Sequence, residues 1–374
     1  MADPADPGPG FGGRSASAPS STSASASGHT LGCRLCPRLC NADRCHGQRG
    51  SCGADDSLRV ARAALHFWEE PPISGTRGSG TVFFSNCALR CSYCQNAPIS
   101  QGLAGKPISV ARLTEIFLEL QAKGAHNINL VTPTHYVDQI IEAVQVARTG
   151  QAARTGRAAK AGQSTRAVAH TGQATNDAST TGTTGTTRTA RNTVSTHAAP
   201  ATPLTIPVVY NTSGYELPAT INRLASTVDV YLTDFKYASP ALAARYSNAP
   251  DYPTAALAAL EAMVAQRGRY LLDAQGILQE GVIVRHLLLP GQLADSLEVL
   301  RRVFASVGNQ VCYALMNQFT PLPGAPPELQ RPVADADYDA LIDFALDLGI
   351  TNSFMQEGGT SSASFIPPFD LEGV

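Results

Sequence analysis

The order of apolar and polar positions predicts an alternation of strands and helices along most of the chain. Short apolar runs alternate with segments in which apolar residues recur every three or four positions, as on one face of a helix. The predicted strands are Thr81–Ser85, Asn127–Val131, Pro207–Tyr210, Val228–Leu232, Val282–Leu289 and Val311–Met316. The predicted helices are Val110–Gln121, Val137–Ala147, Pro218–Ala225, 240–246, 254–266, Ala294–Val307 and Asp335–Leu348.

Most of these strands are continuous apolar runs, which is typical of parallel strands covered on both faces. Right-handed connections would wind such units into an open or closed barrel. We therefore predict an α/β protein whose strands form an open or closed barrel, preceded by a small N-terminal Cys-rich extension. In such folds the catalytic groups stand at the C-terminal ends of the strands.

Two segments depart from this pattern. Residues 1–30 have a Ser, Ala, Gly and Pro bias with no apolar period, which predicts a disordered tail. A Thr- and Ala-rich stretch at about 148–204 follows the second barrel helix and is mildly basic; a solvated surface insertion is the simpler interpretation, and a partner- or RNA-binding arm is the alternative. The predicted organisation is this tail, a Cys-rich extension at 31–75, and a barrel at 76–370 that the insertion interrupts.

Charge and hydropathy exclude several classes of protein. The chain has 28 Lys plus Arg against 30 Asp plus Glu, which disfavours a protein that coats nucleic acid. Its longest apolar runs, such as Leu287–Leu289, fall far short of the roughly 20 residues that cross a bilayer. The first residues lack the pattern of a secretory signal. We expect no membrane association and a cytoplasmic location, with an organellar location as the open alternative.

Eight of the nine cysteines lie between Cys33 and Cys94, which indicates metal or iron–sulfur ligands in a reducing compartment. Cys87, Cys91 and Cys94 directly follow the first predicted strand with the spacing CxxxCxxC. Three such thiolates can hold three irons of a [4Fe–4S] cluster and leave the fourth iron open. A tetrahedral zinc site would need a fourth ligand, and none follows within this loop.

This loop resembles the signature of the radical S-adenosylmethionine (SAM) superfamily, in which an aromatic residue, here Tyr93, precedes the last cysteine. The stretch from Cys91 to Asn96 is similar to the activating enzymes of glycyl-radical enzymes. Later loops are similar to the pyruvate formate-lyase activating enzyme and more closely to the PflX-type branch, although Asn86 and Ala88 depart from the PflX pattern. The resemblance implies a partial (β/α)6 TIM-like barrel of the radical SAM type. The resemblance implies a [4Fe–4S] cluster on Cys87, Cys91 and Cys94, and reductive cleavage of SAM to a 5′-deoxyadenosyl radical. It also implies that Tyr93 packs near the adenine.

Other strand ends carry residues that match the family. Thr212 and Ser213 follow the third strand and suit a close approach to a ribose, although an ordinary turn is the alternative. Asp234 and Lys236 end the fourth strand and are similar to the family's Asp-x-Lys; a structural salt bridge is the alternative. Arg285 in the fifth strand suits a carboxylate and matches the family's arginine. These five residues are the predicted cofactor-binding set, together with Tyr93.

The second strand departs from the family pattern. Radical SAM enzymes commonly present Gly-Gly-Glu there, whereas this chain has Leu130 to His135 with no acidic residue. Oxygen atoms of Thr132 and Thr134 are candidates to replace that contact, and a helix N-cap is the alternative for Thr134. His135 is expected to face the substrate. The segment from His66 to Gly75 also resembles the PflX-type branch and is rich in reactive groups, but the sequence assigns it no role.

The other cysteine set begins with Cys33-x-x-Cys36 and continues through Cys40, Cys45 and Cys52. A CxxC turn holds two thiolates close together and suits zinc or iron–sulfur. The PflX-type pattern favours Cys33, Cys36, Cys40 and Cys52 as a second metal or cluster site and leaves Cys45 aside. Zinc and an auxiliary cluster both stay open, as do a redox dithiol and purely structural cysteines.

The leading prediction is an activating-enzyme-like oxidoreductase that cleaves SAM and abstracts a hydrogen atom. Its partners would be SAM, an electron donor such as flavodoxin or ferredoxin, and a protein substrate related to glycyl-radical enzymes. The alternative from another class is a non-catalytic iron–sulfur or zinc protein that senses redox state.

Overall fold

A ten-stranded sheet organises the chain in a computed structural model that describes residues 32–150, 202–355 and 366–374. The predictions for the tail at 1–30 and for most of the insertion fall outside these residues. The strands are β1 (Arg59–His66), β2 (Ser79–Phe84), β3 (Lys106–Pro107), β4 (Ile128–Val131), β5 (Val208–Thr212), β6 (Val230–Asp234), β7 (Leu271–Leu272), β8 (Leu278–Leu287), β9 (Cys312–Met316) and β10 (Ser353–Met355).

Seven strands form a continuous parallel set in the order β2, β4, β5, β6, β8, β9 and β10. Neighbours in space are therefore successive parallel strands of the chain, and right-handed connections place their helices on one face of the sheet. The other face becomes a concave interior. The sheet ends in open edges and does not close. The predicted α/β class and the six predicted strands are thus confirmed, and β10 is an addition too short to detect from sequence.

The N-terminal edge of the sheet is antiparallel. β1 pairs with β2 on one side and with β3 on the other. Chain residues near the C-terminus also join β1, since Leu371 N donates to Ala61 O (3.0 Å) and Ala63 N donates to Glu372 O (2.8 Å). The sheet therefore begins at Arg59, within the segment 31–75 that the sequence assigns to the Cys-rich extension.

The helices are α1 (Pro71–Ser74), α2 (Ala97–Ser100), α3 (Val110–Ala122), α4 (Val137–Thr149), α5 (Pro218–Arg223), α6 (Pro240–Ser247), α7 (Tyr252–Arg267), α8 (Leu293–Val307) and α9 (Asp335–Asp347). All seven predicted helices occur. Ser109 caps α3 by accepting a hydrogen bond from Arg112 N, and apolar stripes such as Leu113 and Phe117 pack against the sheet. Among the described residues, no helix is long and apolar enough to span a membrane.

The short helix α1 packs against the inner face of the sheet. Its Ile73 lies in a buried cluster with Val209 of β5, Leu232 of β6 and Ile283 of β8. Because side chains alternate between the two faces of a strand, Asn211, Asp234 and Arg285 share this inner face two residues further along. The segment from β1 to α1 (residues 59–74), called the floor segment below, therefore lies under a layer of polar side chains inside the barrel. This polar layer includes Asn211, Asp234 and Arg285.

The two ends of the insertion meet at the barrel. Leu204 N donates to Ala147 O (2.8 Å), and β4 pairs with β5 across the gap in sequence. The chain on both sides of the insertion thus belongs to the same sheet.

Candidate functional site

The loop that carries Cys87, Cys91 and Cys94 begins directly after β2, at the edge where the parallel strands end. Two residues in the left-handed region, Asn86 (φ 79°) and Arg90 (φ 51°), turn the backbone within it. Asn86 N donates to Ile99 O (2.7 Å) and Cys94 N donates to Cys91 O (3.1 Å), which hold the loop compact. The position at the C-terminal end of a parallel strand agrees with the sequence prediction.

The three thiols are in a sheltered environment. Burial raises the pKa of Cys87 to about 12 and also raises that of Cys94, so neither would ionise readily at neutral pH without a cation nearby. The Lys236 ammonium acts in the opposite direction on the pKa of Cys94, and it also interacts electrostatically with Cys91. Ser247 Oγ donates to Cys91 Sγ at 3.0 Å. None of the three cysteines is in a disulfide.

The arrangement of the three thiols determines which kind of metal group they could hold. In the parts of the chain that the structure describes, no three His, Cys, Asp or Glu side chains converge in the manner of ligands around one metal ion. A cube of four irons takes one thiolate at each of three corners, so its ligands need not converge on a point. Three reduced, sheltered thiols in one loop beside a lysine are a donor set that fits such a cluster.

Asp234, Lys236 and Arg285 form one ion-pair network at the ends of β6 and β8. Lys236 Nζ lies 2.6 Å from Asp234 Oδ2, and Arg285 Nε lies 2.9 Å from Asp234 Oδ1. Asp234 and Arg285 are also direct neighbours in the strand register. Burial would raise the pKa of Asp234, but Lys236 and Arg285 outweigh it and lower that pKa, so the carboxylate stays ionised. The structure thus brings together the three charged residues that the sequence predicted.

The same network contains residues that the sequence analysis did not select. Glu69 Oε2 accepts a hydrogen bond from Arg285 (3.1 Å), and Glu69 Oε1 accepts from the amides of Asn129 (3.0 Å) and Asn211 (3.3 Å). Arg285 also donates to Asn211 Oδ1 at 2.6 Å. Asn129 and Asn211 lie in otherwise apolar strands. A polar residue inside a buried strand is a sequence signal that could have identified both as site residues. Glu69 comes from the floor segment, which no local pattern connects to β8.

Glu70 is the N-cap residue of α1 and lies next to this network. Its Oε1 is 3.9 Å from Arg285 Nε, beyond hydrogen-bond distance, and its Oε2 is buried without a hydrogen-bond partner. Burial raises the pKa of Glu70 to about 7, with Arg285 acting against it and Glu69 adding to it. A carboxyl group that titrates near neutrality inside a barrel is able to exchange a proton or bind a cation.

The remaining predicted cofactor residues are occupied by protein contacts. Tyr93 is buried; its hydroxyl accepts from Tyr237 OH (2.8 Å), and its ring packs against Tyr246 and Phe319. Thr212 Oγ1 donates to Glu216 Oε1 at 2.6 Å, while the Ser213 carbonyl accepts from Tyr252 OH at 2.8 Å. Their roles toward SAM stay predictions.

The residues that follow β4 make contacts that the sequence did not predict. Thr134 Oγ1 donates to Glu216 Oε1 (2.6 Å), so Thr134 supports a buried carboxylate. Burial raises the pKa of Glu216 to about 7 despite the hydroxyl donors around it. His135 Nε2 lies 2.8 Å from Ser85 O, and burial lowers its pKa to about 3. Instead of facing a substrate site in the barrel, His135 lines a small cavity of the Cys-rich extension.

The second set of cysteines lines that cavity. The residues that line it include Cys33, Cys36, Cys40, Cys52, Arg38, Thr134 and His135. A Cβ atom added at Gly50 would lie 3.2 Å from Cys40 Sγ and 3.5 Å from Cys52 Sγ, so the glycine leaves room between these two thiols. Cys45 is exposed and does not line the cavity. The four thiols are neighbours, although no three of them converge on one point among the described residues.

Arg38 connects the extension to the cysteine loop of the barrel. Its Nε donates to Ala88 O (3.0 Å), a carbonyl between Cys87 and Cys91, and its guanidinium donates to Ser247 O (2.9 Å) at the C-terminal end of α6. Ser247 in turn contacts Cys91 through its hydroxyl. One side chain of the CxxC region therefore touches both supports of the Cys87–Cys94 loop.

Comparisons with known proteins give distant matches. No protein-family model matches the chain. An uncharacterized protein of Methanocaldococcus jannaschii is 23% identical over 294 residues, which is 76% of this chain; the chain spans 64% of that protein's length.

Solved structures with similar folds include a domain of a pyruvate formate-lyase activating enzyme from Bacteroides vulgatus (13% identity, 41% of this chain, 82% of that chain, TM-score 0.30). Streptococcus suis SuiB, determined with S-adenosylmethionine bound, is another (10% identity, 73% of this chain, 49% of that chain, TM-score 0.42). These values describe distant similarity of fold.

Proposed function

We propose that this protein is a radical SAM enzyme that holds a [4Fe–4S] cluster through Cys87, Cys91 and Cys94. The observation that carries the proposal is the position of these sheltered thiols after β2, next to Lys236 of the ion-pair network. The bound cluster and SAM would together supply a 5′-deoxyadenosyl radical for hydrogen-atom abstraction. A donor such as flavodoxin or ferredoxin would provide the electron.

The chain's own contribution is to bind and orient these groups. Asp234, Lys236 and Arg285 present fixed charges beside the thiols, which suits the ribose hydroxyls and the amino-acid group of SAM. Because the three side chains already pair with one another, they are held in place before a ligand arrives, and little ordering entropy is lost on binding. The buried aromatic group around Tyr93 would keep water from the same edge of the barrel.

The proposed substrate is a protein related to glycyl-radical enzymes. The support for this finer statement is the resemblance of the loop from Cys91 to Asn96 to the activating enzymes. It is tested by mass spectrometry of a candidate partner after incubation with the reconstituted protein, SAM and reductant. A new radical signal in the partner, seen by electron paramagnetic resonance, is the expected result; an unchanged partner would contradict it.

The cluster proposal is tested by anaerobic reconstitution with iron and sulfide. The wild-type protein should develop iron–sulfur absorption and, with SAM and dithionite, form 5′-deoxyadenosine. Cys91→Ala should lose both, because the cluster would lose one of its three protein ligands. The matched control is Cys45→Ala, an exposed cysteine outside this loop, which should retain both signals. A Cys91→Ala protein with wild-type deoxyadenosine formation would refute the proposal.

We also propose that Cys33, Cys36, Cys40 and Cys52 hold a second metal or cluster. The support is that all four line one cavity and that Gly50 leaves space between two of the sulfurs. Metal analysis of Cys36→Ser should show loss of zinc, or of iron beyond four atoms per chain, whereas Cys45→Ser should match the wild type. Equal metal content in all three proteins would contradict this site.

The alternative is a non-catalytic redox sensor, which the cavity lined by four thiols favours. A sensor would bind metal through the same cysteines but would form no 5′-deoxyadenosine from SAM and reductant. The turnover measurement therefore separates the two functions.

A further inference from the structure

The polar layer inside the barrel has two buried oxygen atoms without a hydrogen-bond partner, Glu70 Oε2 and Asn129 Oδ1. Asn129 is fully buried, and the side chain of Glu70 is 8% exposed. Both belong to one network, since Asn129 donates to Glu69, and Glu69 and Glu70 both face Arg285. A buried acceptor without a donor is costly, so each of these two atoms needs a donor that the protein itself does not supply.

The rest of the network already has its partners. Arg285 uses Nε on Asp234 and its two terminal nitrogens on Glu69 and Asn211. Both carboxylate oxygens of Glu69 accept hydrogen bonds, one from Arg285 and the other from two amides. The two oxygens without a partner therefore need a group that donates hydrogen bonds.

The net charge of the polar layer indicates which kind of hydrogen-bond donor would bind there. Glu69, Glu70 and Asp234 carry three negative charges when ionised, whereas Arg285 and Lys236 carry two positive charges. One further positive charge would neutralise the layer. A buried excess charge is unfavourable, and a cation with several N–H donors removes both the charge imbalance and the unsatisfied oxygens.

We propose that Glu70 and Asn129 form a binding site for a protonated amine inside the barrel. The proposal rests on the function proposed above, in which SAM and a substrate bind beside Asp234, Lys236 and Arg285. The amine has two chemical sources, an amino group of the substrate or the amino group of SAM itself. The second source is relevant because the acidic residue that the family places at the end of β4 is absent here, where the chain has Thr132 and Thr134.

The site offers a fluorescent reporter. Trp68 is the chain's only tryptophan and lies two residues before Glu70, so its emission reports on the floor segment. The probe is n-butylammonium chloride, titrated into the full-length protein at constant ionic strength, with n-butanol as the neutral isostere. Wild-type protein should bind the ammonium ion at least tenfold more tightly than the alcohol.

Glu70→Gln should weaken n-butylammonium binding by about tenfold or more, because an amide supplies no negative charge. The matched control is Glu261→Gln, an exposed residue on α7, which should bind like the wild type. Equal affinity of the wild type and Glu70→Gln, or equal affinity for ammonium and alcohol, would overturn the proposal.

A pH titration of the wild type tests the site without any substitution. Affinity for n-butylammonium should fall about tenfold from pH 8 to pH 6, since Glu70, with its pKa of about 7, becomes neutral over this range. The charged and titratable groups that face Glu70 are Glu69, Asp234, Tyr270, Arg285 and Cys312. A pH-independent affinity would refute the amine site, even if Glu70→Gln proved poorly folded.

The two sources of the amine are separated with S-adenosylhomocysteine, which carries the amino-acid group of SAM. If Glu70→Gln weakens its binding to the reconstituted protein as much as it weakens n-butylammonium binding, the site holds the amino group of SAM. If only n-butylammonium is affected, the site holds a substrate amine. Wild-type protein that binds the amine but forms no 5′-deoxyadenosine would contradict the proposed reaction and leave the amine site supported.

Discussion

Arg285 connects three separate parts of the chain through its side chain. Its side chain pairs with Asp234 from the neighbouring strand, with Glu69 from the floor segment, and with Asn211 from β5. A planar guanidinium can serve three acceptors at once in fixed directions, which a single ammonium group cannot do. Asp234 raises the pKa of Arg285 against the effect of burial, so the side chain stays charged.

We therefore predict that Arg285→Lys is not conservative. Lysine would keep one ion pair and leave two buried acceptors unsatisfied, which should lower the free energy of unfolding by about 3 kcal/mol in urea denaturation. Arg301→Lys, on the exposed face of α8, is the control and should stay within about 0.5 kcal/mol of the wild type. An equally small effect at both positions would show that the network contributes little to stability.

His286, the next residue along β8, makes stability depend on pH. Its Nδ1 lies 2.7 Å from Phe235 O, and Nε2 is buried without a partner. Burial lowers the pKa of His286 from 6.5 to about 4. Between these values the unfolded chain binds the proton and the folded chain does not. This group should therefore lower the free energy of unfolding by up to about 3 kcal/mol as the pH falls from 6.5 to 4.

The measurement is urea denaturation of the wild type and His286→Gln over that pH range. The glutamine amide can still donate to Phe235 O but does not titrate, so the difference in unfolding free energy between the two proteins should change with pH. His46→Gln, at an exposed histidine, should parallel the wild type. Parallel curves for His286→Gln and the wild type would contradict the prediction.

At the scale of elements, the Cys-rich extension and the barrel loop act as connected parts. Arg38 donates to carbonyls in the Cys87–Cys94 loop and at the C-terminal end of α6, and a cation at a helix C-terminus is favourable by itself. Thr220 Oγ1 of α5 also donates to Leu35 O at 2.8 Å. A change in the extension should therefore reach the loop through a few defined hydrogen bonds.

We predict that Arg38→Gln increases hydrogen exchange of the backbone amides from residue 87 to residue 94 by about a hundredfold. The shorter neutral side chain would lose the charge-assisted bonds to Ala88 O and Ser247 O, each worth about 1.5 kcal/mol, and local opening would become easier. Arg34→Gln, an exposed arginine in the same extension, should leave exchange unchanged. Unchanged exchange in Arg38→Gln would mean that the loop is held from elsewhere.

For the whole molecule, the sheet tolerates a long insertion because the chain leaves and returns at one place. The contact between Leu204 and Ala147 lies at that point, and β4 and β5 pair directly on either side. The entropy cost of closing a loop rises only with the logarithm of its length. An insertion at such a position does not change the strand order.

We predict that replacing residues 151–201 with a Gly-Ser-Gly-Ser linker keeps the fold and raises the free energy of unfolding by about 1–2 kcal/mol, because a shorter loop closes at lower entropy cost. A Gly-Ser segment of the original length is the control that separates length from sequence. RNA affinity at fixed salt, measured on the same proteins, tests the alternative of a nucleic-acid-binding arm. A loss of stability in both variants would indicate that the native segment contributes contacts to the barrel.

The amino-acid sequence by itself determined the α/β class, the six main strands and the cysteine loop. These features depend on local patterns, namely apolar runs, helical periodicity and cysteine spacing, which are visible in a short window. It also selected Asp234, Lys236 and Arg285, because strand ends of a parallel sheet meet at one edge.

Only the tertiary structure decided which distant residues complete the site. Glu69 and Glu70 reach Arg285 across more than 200 positions of sequence, and His135 lies against the Cys-rich cavity although it follows a barrel strand. Such contacts arise from the packing of the floor segment and the extension onto the sheet. Packing of this kind depends on the whole fold and leaves no periodic trace in the sequence.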